Sequence, residues 1–406
     1  MALDSRKFWL DTGAVFLLSG LVNVLNYIFL VLSGHFLSKE DFGLFSTLVA
    51  ILGLVTVFSN TVHIRVTQVL VTIGIRNARP YLTKLTALIT LFFVVLTGLA
   101  LPWASNILGN LHATVTDVLL TLLAALSLFY CAIANGVTSN LGALRIQAGS
   151  NALGSIVKVG LAIVLSFAPV SAAPWLFSYL LQFWVVIGCS AAAVLWLMKK
   201  PEVIGTPTFE KIERPSYITL LGYLLLVAPF LLDQVYVQVW NTLLSGDYGA
   251  LAVLGKLSFF ASSPILLVLQ TYMINSKGKN CATLWRGVSL ALGIAITTTV
   301  VVSLCRDFLV GKAFPARYAG VAEMLPLLSL SSTLFVVSYI LVLQSIASRK
   351  RGFVLPLCVP VAMQGYWLAH ENLSLHSIAQ FQLYTLAAQL TALIVYHLTM
   401  NVIYRN

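Results

Sequence analysis

Leu232-Asp233-Gln234-Val235-Tyr236, followed by Leu244-Ser245-Gly246-Asp247-Tyr248-Gly249-Ala250, repeats a stretch met half a chain earlier. The first copy is Leu25-Asn26-Tyr27-Ile28-Phe29, followed by Leu37-Ser38-Lys39-Glu40-Asp41-Phe42-Gly43-Leu44. The offset is 207 residues as far as the Leu-Ser pair and 206 beyond it, so one residue is lost in the turn. In 406 residues this makes two halves of equal length, each opening with the same helix-turn-helix. A duplication in a hydrophobic chain marks a two-lobed transporter with its site between the lobes.

The surrounding composition fits that reading. Hydrophobic residues make up 59% of the chain and charged residues 9%, with mean hydropathy +0.94, which excludes a soluble globular protein. Apolar runs of spanning length, roughly 20 residues each, recur from end to end. They fall at about 11–34, 43–70, 85–104, 117–141, 151–168, 173–198, 216–241, 249–275, 284–304, 322–347, 353–369 and 377–400. The expected fold is an all-α polytopic membrane protein, with about 12 transmembrane helices in two six-helix lobes around a central cavity. The lobes are 1–198 and 216–406, joined by a proline-bearing cytoplasmic linker at 199–215. Six spans separate the two copies, so both halves enter the membrane in the same direction and the repeat is parallel.

The basic residues set the orientation. With the N-terminus inside, only Lys39, Arg306, Lys312 and Arg317 lie outside, and Arg65, Lys158 and Lys256 lie within spans. The other seventeen of the 24 Lys and Arg face the cytoplasm, so both termini are expected there. Seven of the eight tryptophans, Trp103 among them, stand at or near span ends, and Trp184 alone is mid-span. The net charge of +11 is mostly this inside excess, suited to anionic lipid. No basic, aromatic-interleaved surface domain exists to bind nucleic acid. The five cysteines are scattered without metal-ligand spacing, so neither a metal nor a cofactor is expected. The start, Met1 to Lys7, is too weakly basic and its apolar run too long for a cleaved signal peptide. Proline is uneven: Pro80, Pro102, Pro169 and Pro174 sit at span ends, whereas Pro229, Pro264, Pro356 and Pro360 fall inside spans and are expected to bend the second half.

Three stretches resemble a known family: Leu37 to Phe45, Asp233 to Lys256, and Gly311-Lys312-Ala313-Phe314-Pro315-Ala316-Arg317-Tyr318-Ala319-Gly320. They are similar to the polysaccharide flippases of the multidrug/oligosaccharidyl-lipid/polysaccharide (MOP) superfamily. The resemblance implies a flippase in a bacterial inner membrane. It would turn an undecaprenyl-diphosphate-linked oligosaccharide from the cytoplasmic to the periplasmic leaflet for O-antigen, capsule or exopolysaccharide assembly. Its partners would be that lipid-linked oligosaccharide, membrane lipids, and polysaccharide polymerase and chain-length machinery.

A charge at the bilayer centre costs about 2.5–3.5 kcal/mol on insertion scales, so each one wants a reason. At 1.5 Å per helical residue, Lys158 lies about 12 Å inside its span from the cytoplasmic end, and Lys256 about 10 Å from the outer end of the eighth span. Arg65 is in the inner part of the second span, two residues after His63, and Asp233 is in the outer half of the seventh. Three cations against one anion suit a cavity that receives a diphosphate. Each residue also has a structural reading. Arg65 can snorkel to the interface, Lys256 and Asp233 can pair, and His63 can be a packing histidine. Asn26, at the repeat position of Asp233, can line the cavity or serve as polar glue.

The competing transporter is a cation-coupled exporter of drugs or metabolites from the same superfamily, which needs a membrane-embedded acid; only Asp233 is deep. An integral-membrane glycosyltransferase or polymerase would need clustered acids or histidines at an aqueous face. His370-Glu371 in the last outer loop is the nearest approach and looks like a solvated turn, so no catalytic activity is expected.

Overall fold

The structure is a computed structural model that describes residues 5–100, 104–140, 143–167, 171–197, 217–276, 281–348, 352–370 and 374–403. The linker 199–215, Trp103, Pro102, Pro169 and Met1 to Asp4 lie outside the described residues. Among those described the chain is helical, with no strand.

The first half runs α1 (Ser5–Phe36), α2 (Lys39–Ile73), α3 (Arg79–Ala100), a short α4 (Ala104–Leu111), α5 (Val115–Asn140), α6 (Leu144–Leu165) and α7 (Ala172–Leu197). The second runs α8 (Tyr217–Trp240), α9 (Thr242–Gly255), α10 (Leu257–Ser276), α11 (Cys281–Leu304), a short α12 (Arg306–Ala313), α13 (Leu325–Ala347), α14 (Val354–His370) and α15 (Leu375–Ile403). Both halves therefore present the same order, with a short helix after the third span. The one difference is that continuous α2 corresponds to the broken pair α9 and α10.

Ten described helices are long and apolar enough to cross a membrane, or eleven when α9 and α10 count as one span bent by 44°. Two of the twelve expected spans thus need correction. The eighth is broken at Lys256, and the eleventh forms a shorter apolar helix, Val354–Trp367. Two boundaries also move. Helix α3 starts at Arg79 rather than 85, because Pro80 occupies a first-turn position where its missing N–H costs nothing. Helix α6 starts at Leu144 rather than 151, which leaves Lys158 seven residues from its far end, about 10 Å. Lys158 is therefore fourteen residues from the start of α6, not the seven expected. Pro229, Pro264 and Pro360 lie inside helices, while Pro356 sits in the first turn of α14 and does not interrupt it.

The chain forms two compact units: Met1–Phe29 with Val55–Pro215, and Leu30–Leu54 with Ser216–Asn406. The C-terminal end of α1 and the N-terminal part of α2 thus pack with the second half of the chain, across the boundary the sequence suggested. Glycine explains the attachment. A Cβ on Gly43 would lie 2.6 Å from the Ser245 hydroxyl, and one on Gly249 would lie 2.7 Å from the Ser46 hydroxyl. A Cβ on Gly246 would strike the Lys39 carbonyl. Gly43 and Gly249 are repeat equivalents, so the two copies of the motif meet face to face, with small residues admitting the close approach. Lys39 and Asp247 close the contact with an ion pair of 2.8 Å.

The third family-like stretch completes this corner of the second unit. Phe314 and Tyr318 lie 5.9 and 6.0 Å from the buried ring of Phe42. The Arg317 guanidinium donates to the carbonyls of Gly34, His35 and Leu37, a cation at the C-terminal end of α1. Deeper in this unit, Phe230 stacks on Phe335 at 4.1 Å, and Phe353 packs where Gly222 leaves room for its ring.

Gly246→Val is expected to destabilise the purified protein by at least the ~1–3 kcal/mol of an overpacked core, read as a lower thermal midpoint by tryptophan fluorescence. Gly293→Ala, where an added Cβ meets nothing within 4 Å, should leave the midpoint near wild type. An unchanged midpoint for Gly246→Val would contradict the close crossing of α2 and α9.

Candidate functional site

The buried charges of the second unit form a closed pair. Lys256 stands at the break between α9 and α10, where the chain is bent and its side chain turns toward α8. Its ammonium donates to both oxygens of Asp233, at 3.1 and 2.9 Å, and to the Phe230 carbonyl. An ammonium has three donors, and three acceptors are present. The Asp233 carboxylate also accepts the Tyr248 hydroxyl at 2.6 Å and the Gln234 backbone N–H at 2.8 Å. Asp233 is 1% exposed and Lys256 6%. A buried pair is tolerable when its remaining hydrogen-bonding capacity is satisfied, and here it is. Neither group offers a free surface to a ligand in this structure, so the pairing suggested by their depth is present and a cavity-facing role for either is not.

The same region of α8 carries the consequence of Pro229. A proline removes one helical hydrogen bond and strains its neighbours. Side chains from other helices serve the carbonyls there. Gln364 and Gln382 both donate to the Pro229 carbonyl at 2.8 Å, and Gln389 donates to Leu226 at 3.3 Å. Gln364 also donates to Gln382 at 2.7 Å. These bonds go to carbonyls near the one that Pro229 deprives of its helical donor, that of Leu225 four residues back.

Lys158 is the buried charge of the first unit, and its surroundings are different. It is 0% exposed. Its ammonium donates to the Asn26 side-chain oxygen at 2.5 Å and sits over the rings of Phe29 and Tyr179, at 4.7 and 4.1 Å. Desolvated cation–π contacts of this kind are worth about 2 kcal/mol. Among the described residues no carboxylate pairs with it. Lys158 therefore does not face an open water-filled space, because α1 and α7 wrap it. Asn26 and Asp233, the repeat equivalents, each hold a lysine ammonium, but from different helices.

A cavity of about 230 Å³ opens within the same unit, lined by Ser19, Val22 and Asn23 of α1, Ala148 and Asn151 of α6, and Gln182 of α7. The register ties it to Lys158. Asn23 precedes Asn26 by three residues, Gln182 follows Tyr179 by three, and Asn151 precedes Lys158 by seven. Such spacings lie on one helical face. Cavity and ammonium are therefore successive levels of one interface between α1, α6 and α7.

Arg65 and His63 stay apart from this cluster. His63 Nε2 lies 3.2 Å from the Ser139 hydroxyl, which donates to Gln147 at 2.7 Å. The hydroxyl proton being spent on Gln147, His63 is the donor to Ser139, and it occupies a packing position between α2 and α5. Arg65 is half-buried, eight residues from the C-terminal end of α2, and its Nη1 has no partner among the described residues.

Sequence reasoning missed Tyr248, Asn151, Gln182 and the glutamines around Pro229. A signal for Tyr248 was available. It stands at the repeat position of Phe42, so the second copy gains a hydroxyl where it also exchanges Asn26 for Asp233. The carboxamides carried no such mark, since a lone Asn or Gln in a span is ordinarily polar glue.

Removing one member of a saturated buried pair strands the other, at about 3–5 kcal/mol, whereas removing both costs far less. Asp233→Ala and Lys256→Ala should each lower the thermal midpoint of the purified protein, and the double variant should recover most of the loss. Additive losses in the double variant would show that the two charges are not coupled.

No protein-family model matches the chain and no curated protein matches it. Solved structures do. The lipid II flippase MurJ in an inward closed conformation aligns with a TM-score of 0.68 at 12% identity, covering 97% of this chain and 87% of that one. An inward-facing multidrug resistance MATE family transporter of the MOP superfamily aligns at 0.62 and 15% identity, covering 93% and 92%. A MOP superfamily transporter from Pyrococcus furiosus, whose binding pocket is described as reversed in polarity, aligns at 0.58 and 13%, covering 98% and 96%. At these identities the likeness is one of fold: the chain shares the all-α polytopic architecture of these solved transporters.

Proposed function

We propose that the protein is a flippase. It moves an undecaprenyl-diphosphate-linked oligosaccharide from the cytoplasmic to the periplasmic leaflet of a bacterial inner membrane by alternating access, with both termini cytoplasmic. The product would feed a polysaccharide polymerase for O-antigen, capsule or exopolysaccharide. The fold is common to a named lipid II flippase and to multidrug transporters, so the charges must discriminate between cargoes. The observation that carries the reading is the balance of charge inside the spans. Lys256 neutralises Asp233, which leaves Lys158 as a fully buried cation with no carboxylate partner among the described residues.

A cation-coupled exporter requires an embedded acid free to exchange its partner. Asp233 is saturated by Lys256, Tyr248 and Gln234. Asp117 is committed to capping α5 through the Thr114 N–H and hydroxyl, at 3.0 and 2.6 Å. An excess of positive charge favours an anionic head group, for which Lys and Arg are the natural receptors. Lys158 is poised for this part because its present partners are an amide oxygen and two ring faces, weaker than a carboxylate and exchangeable for phosphate oxygens.

In proteoliposomes carrying a fluorescent undecaprenyl-diphosphate disaccharide, the wild-type protein should move the probe between leaflets. Lys158→Met should slow it about tenfold or more, ~1.4 kcal/mol in the barrier, with normal yield of folded protein. Movement of a cationic dye on a proton or sodium gradient, with the lipid-linked probe left in place, would sink the proposal and favour the exporter.

A further inference from the structure

We infer that the cavity between α1, α6 and α7 is a binding site for a single uncharged, hydroxyl-bearing ring: one sugar unit of the cargo. The inference rests on the flippase reading for the source of the ring, and on the chamber's own chemistry for the class of ligand. The polar lining consists of the Ser19 hydroxyl and the carboxamides of Asn23, Asn151 and Gln182, with Val22 and Ala148 supplying apolar surface. Among the described residues no charged side chain lines it. A carboxamide presents two donors and an acceptor, and a hydroxyl presents both. That mixture complements sugar hydroxyls, each of which also donates and accepts. A phosphate would find amide and hydroxyl donors but no cation to neutralise it, and an organic cation would find no carboxylate among the described lining residues.

Gln182 adds an independent observation. Its amide nitrogen is directed to the Ser155 hydroxyl at 3.4 Å, while its side-chain oxygen has no partner among the described residues. The residue is only 9% exposed. A buried acceptor left open is costly, so this oxygen is suited to a donor brought from outside. Its position is fixed by packing. A Cβ on Gly154 would lie 2.9 Å from both the Gln182 carbonyl and a Val186 methyl, so α6 and α7 touch there.

Size narrows the class. At about 230 Å³ the chamber falls below the ~300–1,000 Å³ usual for drug-sized ligands, and it accommodates one hydroxylated six-membered ring. Its level is also informative. Asn151 stands seven residues into α6 and Gln182 ten residues into α7, roughly 10–15 Å from their ends. A sugar hydroxyl leaving water for that depth needs polar partners, and a lining of carboxamides supplies them.

The test is saturation-transfer NMR on the full-length protein in nanodiscs, with glucose, galactose and N-acetylglucosamine as probes. Inorganic phosphate and tetraphenylphosphonium serve as the anionic and cationic comparisons. At least one hexose should receive saturation on its ring protons. Asn151→Leu and Ser19→Val, both checked for monodisperse behaviour, should each weaken that signal about fivefold, the weight of one lost hydrogen bond. Absence of transfer to every hexose on the wild-type protein would overturn the inference and leave a hydrated cavity. So would a signal unchanged by both variants, or phosphate or tetraphenylphosphonium binding that only those variants abolish. Sugar binding without movement of the lipid-linked probe would strike the flippase reading alone, and movement without sugar binding would strike this inference alone.

Discussion

Hydrocarbon offers no hydrogen bonds, so every charge and carbonyl exposed within a spanning helix must be answered by the protein itself. Lys256 answers several at once. It sits where α9 gives way to α10, and its ammonium engages Asp233 together with the carbonyl next to Pro229. The bend of 44°, the proline in α8 and the glutamines of α14 and α15 are parts of one solution. Two interrupted helices are held in place by side chains that bond carbonyls near Pro229. Tyr248 and Gln234 finish the carboxylate's coordination and anchor the cluster to the second copy of the repeat.

The first unit solves the same problem with fewer resources. Lys158 has one amide oxygen and two aromatic faces. The contrast separates a charge committed to architecture from one available for exchange. Asp233 and Lys256 hold each other, whereas Lys158 is held by an amide oxygen and two ring faces with no carboxylate among the described residues. The uncharged chamber on the same helical faces extends that asymmetry. On the proposed reading, the cargo meets Lys158 and the chamber of the first unit, while the Asp233–Lys256 cluster holds helices of the second together.

Much of the fold was legible in the sequence. The offset of 206 to 207 residues gave equivalent helices, and Leu37 to Gly43 and Leu244 to Gly249 marked a place where small residues let helices meet. What hydropathy does not record is interruption. The run 249–275 is apolar throughout, yet the chain bends at Gly255-Lys256, because Lys256 reaches Asp233 and a Cβ on Gly255 would lie 2.8 Å from Leu328. Nor does periodicity tell which half of the chain a helix end packs against; residues 30–54 join the second unit through contacts only folding reveals. Among the candidate residues, depth correctly paired Asp233 with Lys256. It misplaced Lys158, because the start of α6 was set seven residues late. Arg65 and His63 looked like members of a charged cavity and occupy a separate stretch of α2.

If the cargo is an anionic lipid-linked saccharide, native mass spectrometry of the protein released from its own membrane should show a bound polyprenyl-diphosphate saccharide, retained in gentle detergent by the wild type and depleted in Lys158→Met. Recovery of cationic amphiphiles in its place, with Lys158→Met retaining them equally, would contradict that reading.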